Sequence, residues 1–464
     1  MRLTILHTND VHAEYGPWAS CVAYMKRRRA ELGAEGCLTL DSGDHLDMSV
    51  DECGLSGGRL HLELLADAGL DAFAPGNNEF CRAPRETLAS LSLASPFPWL
   101  LSTVEEEDGS AFAGFRKSVI VERGGLSVGL LGALNPFSRA AEELHGLKTL
   151  DHASALEREA RALRERGAGL VVLLSHCGLD EDLGLAAETK GAIDLVVGGH
   201  SHSELFEPRR VGRTIIVQAG GHGKYVGELG LKVEGGRVEV EICALREAAA
   251  LAGEDAAQAA ILARWRGETD RVLSEELCVL PEALPQERLL GLAAELLRRK
   301  FGADFGMIFA PAVAGSLPAG PLRLGALYGI MRSFVTPASF EISGRQVEGL
   351  LRERLDPEVT EARGFGIGFR PQGLAFGRLA FAGLDWTEGS AGASGVRVAG
   401  EPLDPERWYR AGACTHLYEA ESGGYPSLDG SRNLSMTRFR YLREALAEAF
   451  RLGEAERLLS ELAR

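Results

Sequence analysis

The chain has little positive charge, few cysteines and no long apolar run. Its 464 residues contain 50 Lys and Arg against 66 Asp and Glu, a formal net charge of −16. Nucleic acids and anionic membranes are bound by basic clusters, so neither is expected as a partner. The basic run at residues 26–29 is too short to change this and is predicted to be a solvated helix face.

The eight cysteines are scattered and form no dense framework, which is typical of reduced thiols in a cytoplasm. No run of about 18 apolar residues occurs, so a membrane-spanning helix is not expected. The sequence begins directly with a strand pattern, and no signal peptide is predicted. These features predict a cytoplasmic protein and leave its oligomeric state open.

Polar residues follow five short apolar runs in the N-terminal half. The runs, each predicted to be a buried strand, are residues 3–6, 37–40, 72–74, 170–174 and 193–197. The segments after them are Asp10-Val11-His12, Gly43-Asp44, Gly76-Asn77, Ser175-His176 and Gly198-Gly199-His200-Ser201-His202. Because loops at the carboxyl ends of parallel strands converge, these side chains are expected to meet. Helical patterns at 21–32 and 153–166 predict an α/β fold.

Imidazole, carboxylate and amide groups are mixed in these segments. Mn, Zn, Fe and Co accept all three, whereas a structural thiolate site for zinc would need cysteine pairs that are lacking here. A carboxylate can bridge two ions about 3.5–4 Å apart, and such a pair supplies a hydroxide that attacks phosphorus. Asp44 is the natural bridge. A single His after a strand is weak evidence for a metal ligand, but five segments in this order predict a site for two divalent ions.

These motifs resemble the bacterial 5'-nucleotidase and UDP-sugar hydrolase family of calcineurin-like metallophosphoesterases. The matching segments are residues 3–12, 41–44, 76–80, 174–176, 198–202 and 217–220. The resemblance implies an N-terminal four-layer α/β/β/α sandwich. It also implies that Asp10, His12 and His202 bind one ion, that Asn77, His176 and His200 bind the second, and that Asp44 binds both.

One motif departs from the family. There, a His after the ligand Asn stabilises the phosphoryl group, and an Asp three residues later orients that His. This chain has Asn78 and Cys81 at these positions. An amide can donate a hydrogen bond to phosphate but offers neither a proton nor a positive charge. We therefore expect slower turnover and a preference for good leaving groups, such as that of a pyrophosphate bond, over a nucleoside alkoxide.

Two nearby histidines could supply the missing imidazole. His45 directly follows Asp44, and His222 lies between two glycines after the strand pattern at 214–217. In the alternative interpretation both are ordinary loop residues that orient their neighbours.

A second domain is expected because 464 residues exceed the size of one hydrophobic core. The predicted organisation is a metallophosphoesterase domain at 1–245, a linker helix within 246–282 and an α+β substrate domain at 283–464. The linker helix is either a cap on the first domain or a hinge. The segments 317–320 and 343–347 resemble the C-terminal substrate domain of the same family.

In that family the substrate domain clamps the base between two aromatic rings, and an Asn and an Arg precede its Leu-Pro-x-Gly segment. Residues 306–316 contain neither of those two. The candidate rings are Phe365, Phe369 and Tyr418, with Arg363 and Arg370 beside the first pair as candidate phosphate contacts. Base stacking contributes about 1–3 kcal/mol. In the alternative interpretation the rings belong to the core and the arginines are surface charge.

The sequence thus predicts a hydrolase, dependent on two divalent metal ions, that acts on a phosphate ester of a nucleotide or nucleotide derivative. The alternative is a metal- and nucleotide-binding sensor with impaired catalysis. The complete ligand set favours the enzyme, and the altered Asn78 and Cys81 pair favours the sensor. The metal and the ester stay open.

Overall fold

The computed structural model describes residues 1–48, 50–135, 145–364, 374–389, 392–418, 424–438 and 440–462, apart from the side chains of residues 81 and 82. The chain forms two compact units, Met1–Thr269 and Asp270–Arg464. The division falls inside the predicted linker segment 246–282. The predicted bounds of the domains themselves stay a prediction.

The N-terminal unit alternates strands and helices. Its strands are β1 Arg2–Thr8, β2 Cys37–Asp41, β3 Ala72–Phe73, β4 Val104–Glu105, β5 Ser118–Arg123, β6 Leu126–Leu134, β7 Lys148–Thr149, β8 Leu170–His176, β9 Leu195–Gly198, β10 Arg209–Val211, β11 Thr214–Gln218, β12 Tyr225–Glu234 and β13 Arg237–Glu247. Its helices are α1 Tyr15–Leu32, α2 Asp51–Ser56, α3 Arg59–Ala68, α4 Asn77–Arg82, α5 Arg85–Ala94, α6 His152–Glu165, α7 Leu179–Glu188 and α8 Ala256–Leu273, the last of which runs across the division.

Two larger sheets organise this unit. One has the strand order β13-β12-β1-β2-β3 and the other β10-β11-β9-β8-β6-β5, while β4 pairs with β7. The neighbours β1, β2 and β3 are parallel, as are β6, β8, β9 and β11. The five apolar runs predicted to be strands are thus strands, and the loops after them leave the carboxyl ends of parallel strands.

Three apolar cores separate four layers. Ile5 of β1 and Val172 of β8 belong to a core formed by residues of both sheets. Trp18 of α1 belongs to a core that joins the first sheet to helices. Leu156 of α6 packs with Val196 of β9 in a core on the other side of the second sheet. Strands buried on both faces form continuous apolar runs, and the predicted α/β/β/α sandwich is confirmed.

The basic run in α1 is only in part the solvated helix face that was predicted, because Arg27 is exposed but the other three cations are half-buried. Lys26 Nζ lies 2.7 Å from Asp67 Oδ2 of α3, and Arg28 Nη2 lies 2.8 Å from Glu228 Oε1 of β12. Residues two apart point to different sides of a helix, and the carboxylates that meet these two cations come from distant segments. Both cations thus form ion pairs with carboxylates of the same unit.

The C-terminal unit has α+β character. Its strands are β14 Glu276–Leu280, β15 Phe305–Phe309, β16 Gly320–Arg323, β17 Pro337–Ser343, β18 Leu379–Ala382, β19 Leu384–Gly389, β20 Gly392–Val398, β21 Glu401–Pro402, β22 Trp408–Cys414 and β23 Arg432–Met436. Its helices are α9 Gln286–Lys300, α10 Leu324–Ile330, α11 Gly344–Glu353, α12 Pro357–Thr360, α13 Thr415–Tyr418, α14 Leu442–Arg451 and α15 Glu454–Leu462. The sheets are ordered β18-β15-β22-β17-β23, β19-β20-β21 and β14-β16.

The turn from β17 into α11 illustrates how sequence places these elements. Ser343 accepts a hydrogen bond from the backbone N–H of Gln346, and the Gln346 side chain accepts one from the backbone N–H of Ser343. This capping box satisfies two N–H groups that a helix start leaves unpaired.

In the part of the chain that the structure describes, no helix is both long and apolar enough to cross a membrane.

Candidate metal centre

Five of the predicted ligands form two overlapping groups at the carboxyl ends of the strands. Ligand atoms lie within 4.8 Å of one another in the groups Asp10, His12, His202 and Asp10, Asp44, His176. Asp10 Oδ1 lies 3.3 Å from His202 Nε2, and Asp44 Oδ1 lies 3.4 Å from His176 Nε2. Ligands about 2.0–2.2 Å from one ion stand roughly 3–3.6 Å apart. These separations are therefore suitable for coordination of a divalent cation.

The other two predicted ligands, Asn77 and His200, contact each other. Asn77 Oδ1 and His200 Nδ1 are 2.9 Å apart, and the backbone N–H of His200 donates to Asp10 Oδ2 at 2.8 Å. The fold thus brings all seven predicted ligands into one connected cluster. The assignment of each ligand to a first or second ion stays a prediction.

The buried atoms of the cluster fit a cation. Asp10 Oδ1 and His176 Nε2 have no hydrogen-bond partner although both side chains are buried, and unpaired buried polar atoms are costly. His176 Nδ1 lies 2.6 Å from the carbonyl oxygen of Ser42, to which it can donate its proton. That tautomer leaves the lone pair of Nε2 directed toward Asp10 and Asp44, as a metal ligand requires.

The electrostatics of the cluster point the same way. Burial alone would lower the pKa of His176, but Asp44 and Asp10 raise this pKa to about 10. Burial would raise the pKa of Asp10, but His176 and His202 lower it to about 2. The two carboxylates thus remain charged in a buried place, and they stabilise a positive charge there. A divalent cation would supply such a charge.

The backbone of the cluster is unusual. Five of the seven predicted ligands, Asp10, His12, Asp44, His200 and His202, have φ between 50° and 72°. Residues other than glycine rarely adopt this left-handed backbone conformation, which costs about 1–3 kcal/mol for each residue. Hydrogen bonds between loops hold the conformation, including Asp10 N–H to the Gly43 carbonyl at 2.8 Å and His222 N–H to the Asp10 carbonyl at 2.6 Å.

Glu79 is a functional residue to which the sequence analysis assigned no role. Its carboxylate accepts hydrogen bonds from the backbone N–H groups of Asp44 at 3.0 Å, Leu46 at 2.9 Å and Gly76 at 2.7 Å. It therefore joins the loop of Asp44 to the start of α4. A Glu three residues after a helix N-cap is the signal of a capping box, and that spacing could have identified it.

Asn9 supports the first loop in a similar way. Its Nδ2 donates to Asp10 Oδ2 at 2.7 Å and to the carbonyl of Gly220 at 2.6 Å, and its Oδ1 accepts from Ala219 N–H at 2.9 Å. Close approach also constrains the glycines, because a Cβ on Gly76 would collide with the Asp44 carboxylate. Larger residues are therefore not compatible with the position before Asn77.

The two residues that replace the family pair lie in α4. Asn78 is 3% exposed, and its side-chain Nδ2 lies 2.9 Å from His12 Nδ1. Its backbone N–H donates to Asp44 Oδ1 at 2.7 Å. The side chain of Cys81 lies outside the described part of the chain.

The two histidines proposed as substitutes point in different directions. His45 is buried, its Nδ1 lies 2.7 Å from Nδ1 of His61, and its ring packs edge-on against Trp18 at a centroid distance of 4.6 Å. This placement favours the interpretation of His45 as a structural residue. His222 is exposed, and its ring lies 5.2 Å from that of His12 and 5.0 Å from that of His202.

Close packing holds the loop of His222 beside the cluster. A Cβ on Gly221 would lie 2.8 Å from Cγ of His202, so only glycine fits there without displacement of that ring. His222 itself has a φ of 57°. The exposed imidazole is thus placed at the solvent side of two predicted ligands.

The predicted substrate contacts of the C-terminal unit are only partly described. Phe365, Phe369 and Arg370 lie outside the described residues. Tyr418 is half-buried and its ring lies 5.4 Å from that of Phe340. Arg363 is exposed and forms an isolated bridge with Ala375.

Comparison with known proteins identifies the N-terminal unit. Residues 3–204 match the family model of the calcineurin-like phosphoesterases. This part of the chain is a calcineurin-like metallophosphoesterase domain. The family also supports assignment of the protein to the hydrolases of phosphoric esters, and its use of divalent metals agrees with the candidate ligands of this domain.

Relatives extend the match beyond the metallophosphoesterase domain. The uncharacterized metallophosphoesterase YunD of Bacillus subtilis is 25% identical over 426 residues, 88% of this chain and 90% of YunD. The 5'-nucleotidase of Diplobatis ommata is 29% identical over 275 residues, 51% of this chain and 47% of that protein, so the match spans about half of each. The structure of Haemophilus influenzae NAD nucleotidase has a TM-score of 0.66 at 17% identity and covers 98% of this chain and 97% of that one.

The structural match shows a shared two-domain fold over nearly the whole chain. The 5'-nucleotidase relative, by its sequence, confirms the predicted resemblance to the 5'-nucleotidase family.

Proposed function

We propose that the protein is a hydrolase that uses two divalent metal ions to cleave a phosphate ester of a nucleotide or nucleotide derivative. The observation that carries this proposal is the buried cluster in which Asp10, Asp44 and His176 direct ligand atoms at one another. Two of those atoms, Asp10 Oδ1 and His176 Nε2, have no hydrogen-bond partner. A bound ion would satisfy both of these buried polar atoms.

The proposal gives each residue of the cluster a task. One ion would be held by Asp10, His12 and His202, the other by Asn77, His176 and His200, with Asp44 in contact with both. When bound, divalent ions supply Lewis acidity toward phosphate oxygens and activate water for attack. The protein contributes the placement of the ligands, through Glu79, Asn9 and the left-handed backbone of the loops. Mn, Zn, Co and Fe all suit this mixture of donors.

His222 would take part of the role that the family assigns to the His at the position of Asn78. Its ring lies beside His12 and His202 and is open to solvent, and a neutral imidazole donates one N–H hydrogen bond. A phosphate or leaving-group oxygen at the cluster could accept that bond.

The test is phosphate release from a panel of substrates. The purified full chain is loaded separately with Mn, Co and Zn and assayed on nucleotides, nucleotide sugars, cyclic nucleotides and a chromogenic ester. We expect turnover with at least one metal and its loss on chelation. If the role of the family His is only partly replaced, kcat/KM on a nucleotide diphosphate ester should exceed that on AMP. The absence of turnover with every metal would refute the enzyme.

A second function, a metal- and nucleotide-binding sensor, is favoured by one observation. The side chain at the position of the family His, that of Asn78, is buried and contacts His12. Under this alternative the metal-loaded protein binds a nucleotide without cleaving it. Isothermal titration with AMP, combined with the same phosphate assay, distinguishes the two, since only the enzyme releases phosphate.

We also propose a cytoplasmic location. The support is that Cys21, Cys37, Cys177, Cys243 and Cys278 are free thiols among the described residues. Free thiols persist in reducing compartments. Fractionation of cells that express the protein tests this proposal.

A further inference from the structure

Asn78 binds two predicted ligands at once. Its backbone N–H donates to Asp44 Oδ1 at 2.7 Å, and its carboxamide lies 2.9 Å from His12 Nδ1. With 3% of its surface exposed, the residue has little access to a substrate. The Asn78 amide therefore interacts with the ligand shell instead of facing the reaction site.

The contact with His12 bears directly on metal binding. His12 Nε2 faces the cluster, 3.7 Å from Asp10 Oδ1 and 4.0 Å from Asp44 Oδ2, whereas Nδ1 faces Asn78. A neutral imidazole has one bare nitrogen, so coordination through Nε2 requires the proton on Nδ1. That N–H then needs an acceptor. The carboxamide oxygen serves when the amide is turned over, and the two orientations of an amide have almost the same shape.

We propose that Asn78 is a positioning residue for His12. With its oxygen toward Nδ1–H, it would select the tautomer that leaves Nε2 free for the ion and would hold the ring in place. The inference rests on the proposed function, because it takes His12 as a ligand. Partners of this kind orient a ligand His, and their loss typically weakens metal affinity about 10–100-fold.

Two substitutions separate this role from a contact with phosphate. Asn78→Leu has a similar volume but no acceptor, and Asn78→Asp keeps an acceptor at the same place. Each metal-free full chain is titrated with Mn²⁺ by calorimetry, and free Mn²⁺ is followed by electron paramagnetic resonance. We expect Asn78→Leu to bind Mn²⁺ about 10–100-fold more weakly, and Asn78→Asp to bind with an affinity close to that of the unchanged chain.

A second buried amide provides the control. Gln258 of α8 donates to the carbonyl of Leu64 and accepts from the Trp18 indole. Gln258→Leu should lower thermal stability and leave Mn²⁺ affinity unchanged, which separates destabilisation from loss of a positioning contact.

The remaining outcomes are decisive. If Asn78→Leu binds Mn²⁺ as tightly as the unchanged chain, the positioning role is wrong. If Asn78→Leu instead raises KM for a phosphate ester with metal affinity unchanged, Asn78 contacts phosphate, and the inference is again overturned. If the unchanged chain binds Mn²⁺ but releases no phosphate with Mn, Co or Zn, the enzyme proposal fails while the role of Asn78 stands. If it binds none of these three metals, both fail.

Discussion

The two units of the chain use polar residues differently. In the N-terminal unit, polar residues that follow separate strands meet in one buried cluster, where Asp10 belongs to both groups of candidate ligands. In the C-terminal unit, the described candidates for substrate contact are dispersed: Tyr418 packs against Phe340, and Arg363 is exposed. The ends of parallel strands are placed by the sheet, whereas a ring at the end of α13 and a cation outside the named strands have no such constraint. Function is therefore far better located in the first unit.

The largest expected effect on turnover comes from substitution of Asp44, at the centre of the cluster. Asp44→Asn removes the charge that is predicted to contact both ions and keeps the shape of the side chain. We expect turnover to fall by about 10³-fold or more and the bound Mn²⁺ per chain to decrease. Phosphate release and metal analysis after gel filtration measure the two effects.

A buried carboxylate elsewhere in the same unit serves as the control for that substitution. Asp194 lies immediately before β9 and forms ion pairs with Arg164 and Arg213. Asp194→Asn should lower stability without changing the bound Mn²⁺ per chain. Equal turnover in Asp44→Asn and the unchanged chain would contradict the assignment of Asp44.

The next largest effect is expected from substitution of His222, whose imidazole is exposed beside the cluster. His222→Ala removes a hydrogen bond that would reach a charged substrate, and such bonds contribute about 1.5–3 kcal/mol. We expect kcat/KM to fall roughly 10–100-fold while Mn²⁺ affinity is retained. His222→Asn keeps a donor and tolerates the positive φ, so it should recover part of the loss. An unchanged kcat/KM in the Ala variant would leave His222 an ordinary loop residue.

Substitution of Tyr418 tests whether the C-terminal unit contacts the base of a nucleotide substrate. If its ring stacks on a base, Tyr418→Ala should raise KM for AMP by roughly fivefold or more, because stacking contributes about 1–3 kcal/mol. KM for phenyl phosphate, which has no base, should not change. If the ring serves only to pack on Phe340, the variant loses thermal stability and affects both substrates equally. Tyr418→Phe, which keeps the ring, should behave like the unchanged chain on both.

The smallest effect concerns acid stability. Burial lowers the pKa of His7 in β1 from 6.5 to about 4 in the folded protein. Between these values the unfolded chain binds a proton that the folded chain does not, so stability falls as pH falls. The slope from this group is at most about 1.4 kcal/mol per pH unit.

Urea unfolding is followed across that pH range in the unchanged chain and in His7→Gln. As the pH falls, the unfolding midpoint of the unchanged chain should move to lower urea concentrations relative to that of the variant. Parallel pH dependences of the two midpoints would show that other groups are responsible.

Much of the N-terminal fold could be predicted because its signals are local. Apolar runs such as 170–174 mark strands buried on both faces, and the polar residues after them mark the site. The basic run of α1 shows the limit. Its helix was correctly predicted, but the carboxylates of Asp67 and Glu228 that pair with it come from segments that no local pattern connects to it.

What the sequence determined by itself is the order of strands and motifs and therefore the family, the layers and the set of candidate ligands. Only the tertiary structure decided where each loop side chain points. His45 and His222 were equal candidates in the sequence, yet one packs against Trp18 and the other lies open beside His12. The reason is physical: the direction of a loop side chain follows from backbone angles, here left-handed ones, that hydrogen bonds between distant loops impose.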